Sequence, residues 1–216
     1  MPLHPETDVA IADWFATSGS PWTQLCSLGP SGFRGYCRLF HPLHEGADEN
    51  DSDELQNIEG HLDDTHLKRL TTVLSRYTST PGDCFFGLWD GFGDSHGSPA
   101  VGSLRMGRGG PAEIPPAFPP GVLTGPRVEI PNRNYLLFRG PLSDAGHWGA
   151  VDMPPGHPRL INSPNLIWPF DRAWFVASEV DLPWTGVGGE SALVEELLAD
   201  AVLDVEPVSL GPELPY

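Results

Sequence analysis

The stretch that decides the fold is Cys84-Phe85-Phe86-Gly87-Leu88-Trp89, an almost unbroken apolar run. A run this short and this apolar is typical of a central strand that is buried on both faces of a sheet. It ends at Asp90-Gly91, where a turn signal begins. The run therefore predicts that a sheet lies at the centre of the protein.

Strand and helix signals surround this run. Alternating or β-rich patterns predict strands at 33–40, 127–130, 134–140, 165–168, 172–180 and 202–205, with a further candidate strand at 101–106. Apolar stripes at helical spacing predict helices at 8–17, 65–77 and 191–199. The predicted cap of the second helix is Asp63 or Asp64. The expected fold class is α+β, a mostly antiparallel sheet with about three helices and long Pro/Gly-rich loops.

The chain has 216 residues, a length that fits a single α+β domain over residues 1–216. Two segments carry patterns that oppose regular structure: dense negative charge with little apolar surface to bury in one, and prolines that exclude a long helix or a central strand in the other. One is the acidic segment near 45–60 and the other is the Pro-rich segment near 107–126. Both segments are predicted to be mobile or partly disordered.

The charge of the chain narrows the classes of function. The sequence has 29 acidic and 12 basic residues, which gives a formal net charge of −17. Binding to a nucleic-acid backbone requires clustered cations, so we expect no nucleic-acid partner. The same charge opposes binding to anionic membrane surfaces, and no apolar run is long enough for a membrane-spanning helix.

The N-terminus and the cysteines predict the location of the protein. Residues 1–6 lack the basic and apolar regions of a signal peptide. Cys26, Cys37 and Cys84 form no CxxC pair, and an odd number of cysteines favours reduced, buried thiols. We therefore expect a cytoplasmic protein.

Acidic residues are concentrated between Glu45 and Asp64, and no Lys or Arg occurs between Arg38 and Lys68. One interpretation is a solvated loop that runs into the helix at 65–77. The other is a contact surface for a basic protein, because such a charge speeds the approach of an oppositely charged partner. The residues assigned to this surface are Asp48, Glu49, Asp51, Asp53 and Glu54.

Two of the seven tryptophans are predicted to join that surface. Trp148 and Trp184 lie beside Gly or Pro in predicted loops, and tryptophan is enriched at protein interfaces. The alternative is that both side chains pack into a small hydrophobic cluster that holds long loops in place.

Four histidines are candidate metal ligands: His41, His44, His61 and His66. Imidazoles and carboxylates suit Zn²⁺ or a similar ion. However, Pro42 separates the first pair, and a spacing of five residues does not place the second pair on one helical face. We therefore expect histidines that are solvent-facing or hydrogen-bonded, and no metal or other cofactor.

Two glycine-containing segments carry weaker signals. Residues 185–189 (TGVGG) read as a turn between a strand and a helix, where backbone N–H groups can bind an anion. The segment matches no nucleotide-binding pattern, so a plain connection is expected. Residues 90–97 resemble a calcium loop but lack its alternating oxygen ligands, so a turn is expected there as well.

Three blocks carry a family resemblance: 35–42 (GYCRLFHP), 126–142 (PRVEIPNRNYLLFRGPL) and 163–174 (SPNLIWPFDRAW). Together with 179–189, they resemble an uncharacterised family of cytosolic bacterial proteins from GC-rich genomes. The resemblance covers about half of the chain. It implies no known activity and no catalytic residues, and it does not extend to the acidic or the Pro-rich segment.

No GxSxG, HExxH or kinase signature is present in the sequence. The sequence therefore favours an acidic, non-enzymatic protein that binds, and in one form inhibits, a basic protein partner. An immunity protein that neutralises a bacterial toxin is the concrete example. The alternative is a small-molecule or metal-dependent enzyme whose site uses the four histidines and nearby acids.

Overall fold

A computed structural model describes residues 2–43, 59–97, 114–153, 159 and 161–211. Nine strands in these ranges form one sheet, and every pairing is antiparallel. The strands are β1 His4–Pro5, β2 Gly35–Phe40, β3 Cys84–Trp89, β4 Val128–Ile130, β5 Arg133–Gly140, β6 Leu166–Pro169, β7 Phe175–Ser178, β8 Trp184–Gly189 and β9 Val205–Val208. Their order is β1-β5-β3-β6-β7-β8-β2-β9, and β4 also pairs with β5. The predicted α+β class is confirmed.

The described ranges contain six α-helices, more than the three predicted. They are α1 Asp13–Ala16, α2 Trp22–Ser27, α3 Asp64–Leu74, α4 Gly93–His96, α5 Pro120–Leu123 and α6 Ser191–Leu198. The three predicted helices correspond to α1 with its preceding 3₁₀ turn, α3 with its following 3₁₀ turn, and α6. The additional helices α2, α4 and α5 are too short to produce a periodic apolar pattern in the sequence.

Two layers of helices cover the two faces of the sheet. On one face, Phe86 of β3 belongs to the core cluster that includes Leu70 of α3 and Leu197 of α6. On the other face, Phe85 belongs to the cluster that includes Phe15 of α1, together with residues of α2. Successive residues of a strand point to opposite faces, so β3 must be apolar throughout. This two-sided burial accounts for the unbroken apolar run.

Helix α3 begins where the sequence predicts. Asp63 is its cap: Oδ1 accepts hydrogen bonds from the backbone N–H groups of Thr65 at 2.9 Å and His66 at 3.2 Å. These contacts satisfy two donors that lack a partner within the helix. The buried side of α3 presents Leu67 and Leu70 to the sheet.

The prediction that residues 185–189 form a turn is wrong, because they lie in strand β8. The glycines there are required by the layers that pack on the sheet. A Cβ on Gly186 would lie 2.1 Å from the backbone oxygen of Ser27 at the end of α2, and one on Gly189 would lie 2.6 Å from the side chain of Leu193 in α6. The glycines therefore allow helices to approach the strand closely, and do not form an anion-binding loop.

The two segments predicted to be mobile fall partly outside the described residues. Residues 45–58 and 107–113 lie outside them, as does the candidate strand at 101–106. Some of the described residues of these segments are packed: Phe118 is buried with its ring centroid 5.2 Å from that of Phe138, and the N–H of Gly60 donates to the oxygen of Leu182 at 3.0 Å. Residues 114–126 thus contribute to the core.

The close approach of α2 to β8 can be tested by Gly186→Ala. The added methyl group must displace the α2 backbone, so we expect the free energy of unfolding to fall by about 2 kcal/mol. Urea denaturation followed by tryptophan fluorescence measures this loss. Gly82→Ala is the control, because no atom lies within 4 Å of the added Cβ; its effect should stay within about 0.5 kcal/mol. Equal stability of the two variants would contradict this packing.

Candidate functional site

The residues predicted to contact a partner divide into two groups. Asp48, Glu49, Asp51, Asp53 and Glu54 lie outside the described residues. Trp148 and Trp184 are each only 4% exposed. Trp148 donates from Nε1 to the oxygen of Asn162 at 2.9 Å, and Trp184 packs in a cluster with Leu28. The structure therefore favours the alternative role, in which both tryptophans pack into hydrophobic clusters.

The described histidines of the proposed metal group have separate structural partners. His41 is buried, and its Nε2 lies 2.8 Å from Oγ1 of Thr185. His61 accepts a hydrogen bond at Nδ1 from the N–H of Ser163 at 3.0 Å. His66 lies with Nδ1 2.6 Å from Oδ2 of Asp63. His44 is outside the described residues, and within them no group of three or more metal-ligating side chains could hold an ion.

Residues 90–97, where the sequence predicts a turn, contain the short helix α4, and an ion pair organises the segment. Asp90 Oδ2 accepts from Nε of Arg127 at 3.0 Å, and Nε2 of His96 lies 3.1 Å from Oδ1. Arg127 also donates to backbone oxygens of α5 and the residues after it, including that of Leu123 at 2.6 Å. Asp90 thus contacts His96 of α4 and Arg127, and Arg127 in turn holds α5.

Residues of the block 163–174 hold neighbouring elements together. Asn165 is fully buried; its Oδ1 accepts from the N–H of Trp89 at 2.9 Å and its Nδ2 donates to the oxygen of Ser178 at 3.0 Å. Trp174 donates from Nε1 to the last turn of α3, at the oxygen of Leu74. The block therefore performs internal structural roles in the described fold.

Asp171, in the same block, is the anchor of the turn between β6 and β7. Its carboxylate accepts from the hydroxyl of Thr78 at 2.8 Å and from both the N–H and the hydroxyl of Ser79 at 2.7 Å. Burial raises the pKa of Asp171, but these hydrogen bonds outweigh it and hold the pKa below its ordinary value.

Most of the described arginines are paired with carboxylates. The pairs are Arg34–Glu190, Arg38–Glu206, Arg69–Asp200, Arg76–Glu196, Arg127–Asp90, Arg133–Glu179, Arg133–Asp181, Arg139–Asp83 and Arg139–Glu6. Three described bases, Lys68, Arg159 and Arg172, have no carboxylate of a described residue within 4.0 Å. Because acids outnumber bases in the described ranges too, these ion pairs leave the described residues with a net negative charge.

The most deeply buried pair joins Arg133 of β5 to Glu179, which follows β7. The Glu179 side chain is 1% exposed and accepts from Nε of Arg133 at 2.9 Å. Burial lowers the pKa of Arg133, but the hydrogen bond and charge of Glu179 outweigh it and raise that pKa. Burial, followed by the adjacent Glu179, raises the pKa of Cys26, so its thiol stays protonated.

An acidic corner, formed by Glu59, Glu179 and Asp181, lies where the acidic segment enters the described fold. Burial raises the pKa of Glu59, and the negative charge of Asp181 raises it further. The Asp181 side chain is 68% exposed, and it shares the guanidinium of Arg133 with Glu179. Two of the three carboxylates at this corner, Glu179 and Asp181, are therefore paired with Arg133.

A cleft of about 530 Å³ lies between α3 and the segment 143–150. Lys68 and Arg159 line it together with His147, and Asp64 is the one carboxylate of its described lining. No local sequence pattern marks this cleft, because its cationic residues come from distant parts of the chain. The only available signal was that Lys68 is the single lysine in the sequence.

No family model, curated protein or solved structure matches the chain. The family resemblance of the three sequence blocks therefore stays a prediction. Within the described ranges, every helix is too short or too polar to cross a bilayer.

The buried Arg133–Glu179 pair can be tested by Arg133→Met. This variant leaves a buried carboxylate without its cation, so we expect the free energy of unfolding to fall by about 3–5 kcal/mol. In the double variant Arg133→Met/Glu179→Leu no charge is buried, and we expect most of the loss to be recovered. Arg34→Met, which breaks an exposed pair, is the control. Chemical denaturation measures all three, and a double variant no more stable than Arg133→Met would refute the assignment.

Asp171 predicts a specific acid sensitivity. A carboxylate whose pKa is lowered in the folded state stabilises the protein above its unfolded pKa of about 3.9, and this contribution is lost as the pH falls through the folded pKa. Asp171→Asn should therefore cost about 1 kcal/mol at neutral pH, and the difference from the wild type should shrink below about pH 4. Urea denaturation at a series of pH values measures it. A difference that stays constant with pH would contradict this role.

Proposed function

We propose that this protein is an acidic, non-enzymatic interaction protein that binds a basic protein partner. An immunity protein that neutralises a bacterial toxin is the form this function would take. The observation that carries the proposal is the distribution of charge. The described arginines are mostly held in pairs with carboxylates, and the acids still outnumber the bases, so the described part of the chain keeps a net negative charge that attracts a basic protein.

The acidic corner supports this proposal because it continues the acidic segment onto the folded domain. Glu59 directly precedes Gly60, and the N–H of Gly60 donates a hydrogen bond to the backbone oxygen of Leu182 in the turn between β7 and β8. Asp181 lies exposed on that turn. A surface with one sign of charge attracts an oppositely charged protein and raises its association rate.

The burial of Trp148 and Trp184 changes the expected chemistry of the interface. With these aromatic side chains inside the domain, the proposal rests on electrostatic attraction and on the acids of the segment 45–60. Such binding is screened by salt, since exposed charges interact weakly beyond about 10 Å at 0.1 M ionic strength. The proposed partner therefore presents a face rich in Lys and Arg.

A small-molecule enzyme is the second candidate function, and the cleft beside α3 favours it. The cleft brings His147, Lys68 and Asp64 together in a volume suited to a metabolite. Neither His41, His61 nor His66 is among the residues that line it, so the enzyme candidate would need a site different from the one predicted. Turnover of a substrate that is lost in Lys68→Gln would favour this candidate.

The electrostatic proposal is tested by reversing four charges of the acidic segment: Asp48→Lys, Glu49→Lys, Asp51→Lys and Asp53→Lys together. We expect association with the basic protein captured from the host at low salt to slow by about tenfold or more, because steering is lost. Surface plasmon resonance at several salt concentrations measures the association rate. The wild-type rate should fall with salt, and the variant rate should change little.

The matched control reverses four exposed acids elsewhere: Asp13, Glu129, Glu195 and Asp204, each to Lys. It changes the net charge by the same amount without touching the acidic segment. Its association should remain faster than that of the first variant. If both variants slow association equally, the effect comes from net charge alone, and if neither does, the acidic segment is only a solvated loop.

A further inference from the structure

The cleft beside α3 is the place where the cations without described carboxylate partners come together. Of the three such bases in the described ranges, Lys68 and Arg159 both line this cleft, whereas the third, Arg172, has its guanidinium 5.3 Å from the ring centroid of Trp14. In a protein with a net charge of −17, this concentration of positive charge runs against the overall composition.

Arg159 is 9% exposed and is held in place by backbone groups. Its Nε donates to the oxygen of Val151 at 2.9 Å, and its terminal nitrogens donate to the oxygens of Asp94 and Pro115. A guanidinium has five N–H donors, so these three bonds leave donors for a further acceptor. Carbonyl dipoles alone offset a buried positive charge incompletely, which favours an anion nearby.

Lys68 supplies the second charge. It lies on α3 one turn after Asp64, and both residues line the cleft, yet no described carboxylate lies within 4.0 Å of its ammonium group. An anion in the cleft would therefore meet a lysine that is free of described ion pairs and an arginine that is already fixed in position. His147 lines the same cleft and can donate a further hydrogen bond.

The remaining lining is mixed in character. Leu67, Trp148 and Ile161 provide apolar surface, and Thr71 and Ser143 provide hydroxyl groups. A volume of about 530 Å³ lies within the range of small-molecule sites, which combine an apolar lining with a few placed polar groups. The lining thus suits a molecule with both a charged group and an apolar part.

We propose that this cleft binds a small organic anion that carries a carboxylate or a phosphate on an apolar body. Lys68 and Arg159 hold the anionic group, and Leu67, Trp148 and Ile161 contact the apolar part. This site is separate from the acidic segment, so the interaction function and the ligand site can succeed or fail independently.

The test uses isothermal titration calorimetry with four probes: phenyl phosphate, benzoate, inorganic phosphate and uncharged benzamide. We expect phenyl phosphate or benzoate to bind the wild type with a Kd below about 1 mM. Inorganic phosphate and benzamide should bind at least about tenfold more weakly, since each lacks one half of the ligand. Comparison of phenyl phosphate with benzoate distinguishes a phosphate site from a carboxylate site.

Two variants locate the binding. Lys68→Gln should weaken the bound organic anion by about tenfold, which is the loss of one charge-assisted contact. Arg34→Gln removes the same charge from an exposed pair elsewhere and should leave the affinity unchanged. Both changes are on the surface, and circular dichroism confirms that each variant is folded. The proposal is overturned if neither organic anion binds, if benzamide binds as tightly, or if both variants weaken binding equally.

Discussion

The pairing of scarce arginines with carboxylates from distant segments is the interaction on which the rest of the structure depends. The buried pair of Arg133 and Glu179 joins β5 to the turn before β8, and Arg127 joins Asp90 to the segment around α5. Removing one member of such a pair leaves the other as an uncompensated buried charge, so a single substitution at these positions is costly. The same pairing removes most of the positive charge from the surface and leaves it acidic.

The sequence predicted the architecture where burial leaves a local pattern. The run at β3 is apolar because both faces of the sheet are covered, and Asp63 caps α3 through contacts with the next few residues. The glycines of β8 predict a turn in the sequence. In the structure they make room for α2 and α6, and nothing in the local sequence of the strand shows that these helices pack there. The burial of Trp148 and Trp184 could not be predicted for the same reason. The Gly and Pro residues beside them suggest exposed loops, and the residues that cover these side chains come from other parts of the chain.

The charge pattern of the sequence reveals one of the two candidate surfaces and not the other. The acidic segment can be recognised in the sequence because its acidic residues are closely spaced. The cationic cleft cannot, because the fold must first bring α3 and Arg159 together. The net charge of the whole chain gives no sign of the cleft, because it is dominated by the excess of acidic residues. The two surfaces have opposite charge, and they are therefore suited to different ligands: a basic protein for one and a small anion for the other.

Native mass spectrometry of the protein isolated from its own host at low ionic strength tests the central claim most directly. We expect a complex of the chain with one basic protein at a fixed stoichiometry, and we expect this complex to dissociate as salt is added. The mass of the second component identifies the partner. The contradicting result is the chain without a protein partner at every ionic strength, whether or not a small ligand is bound.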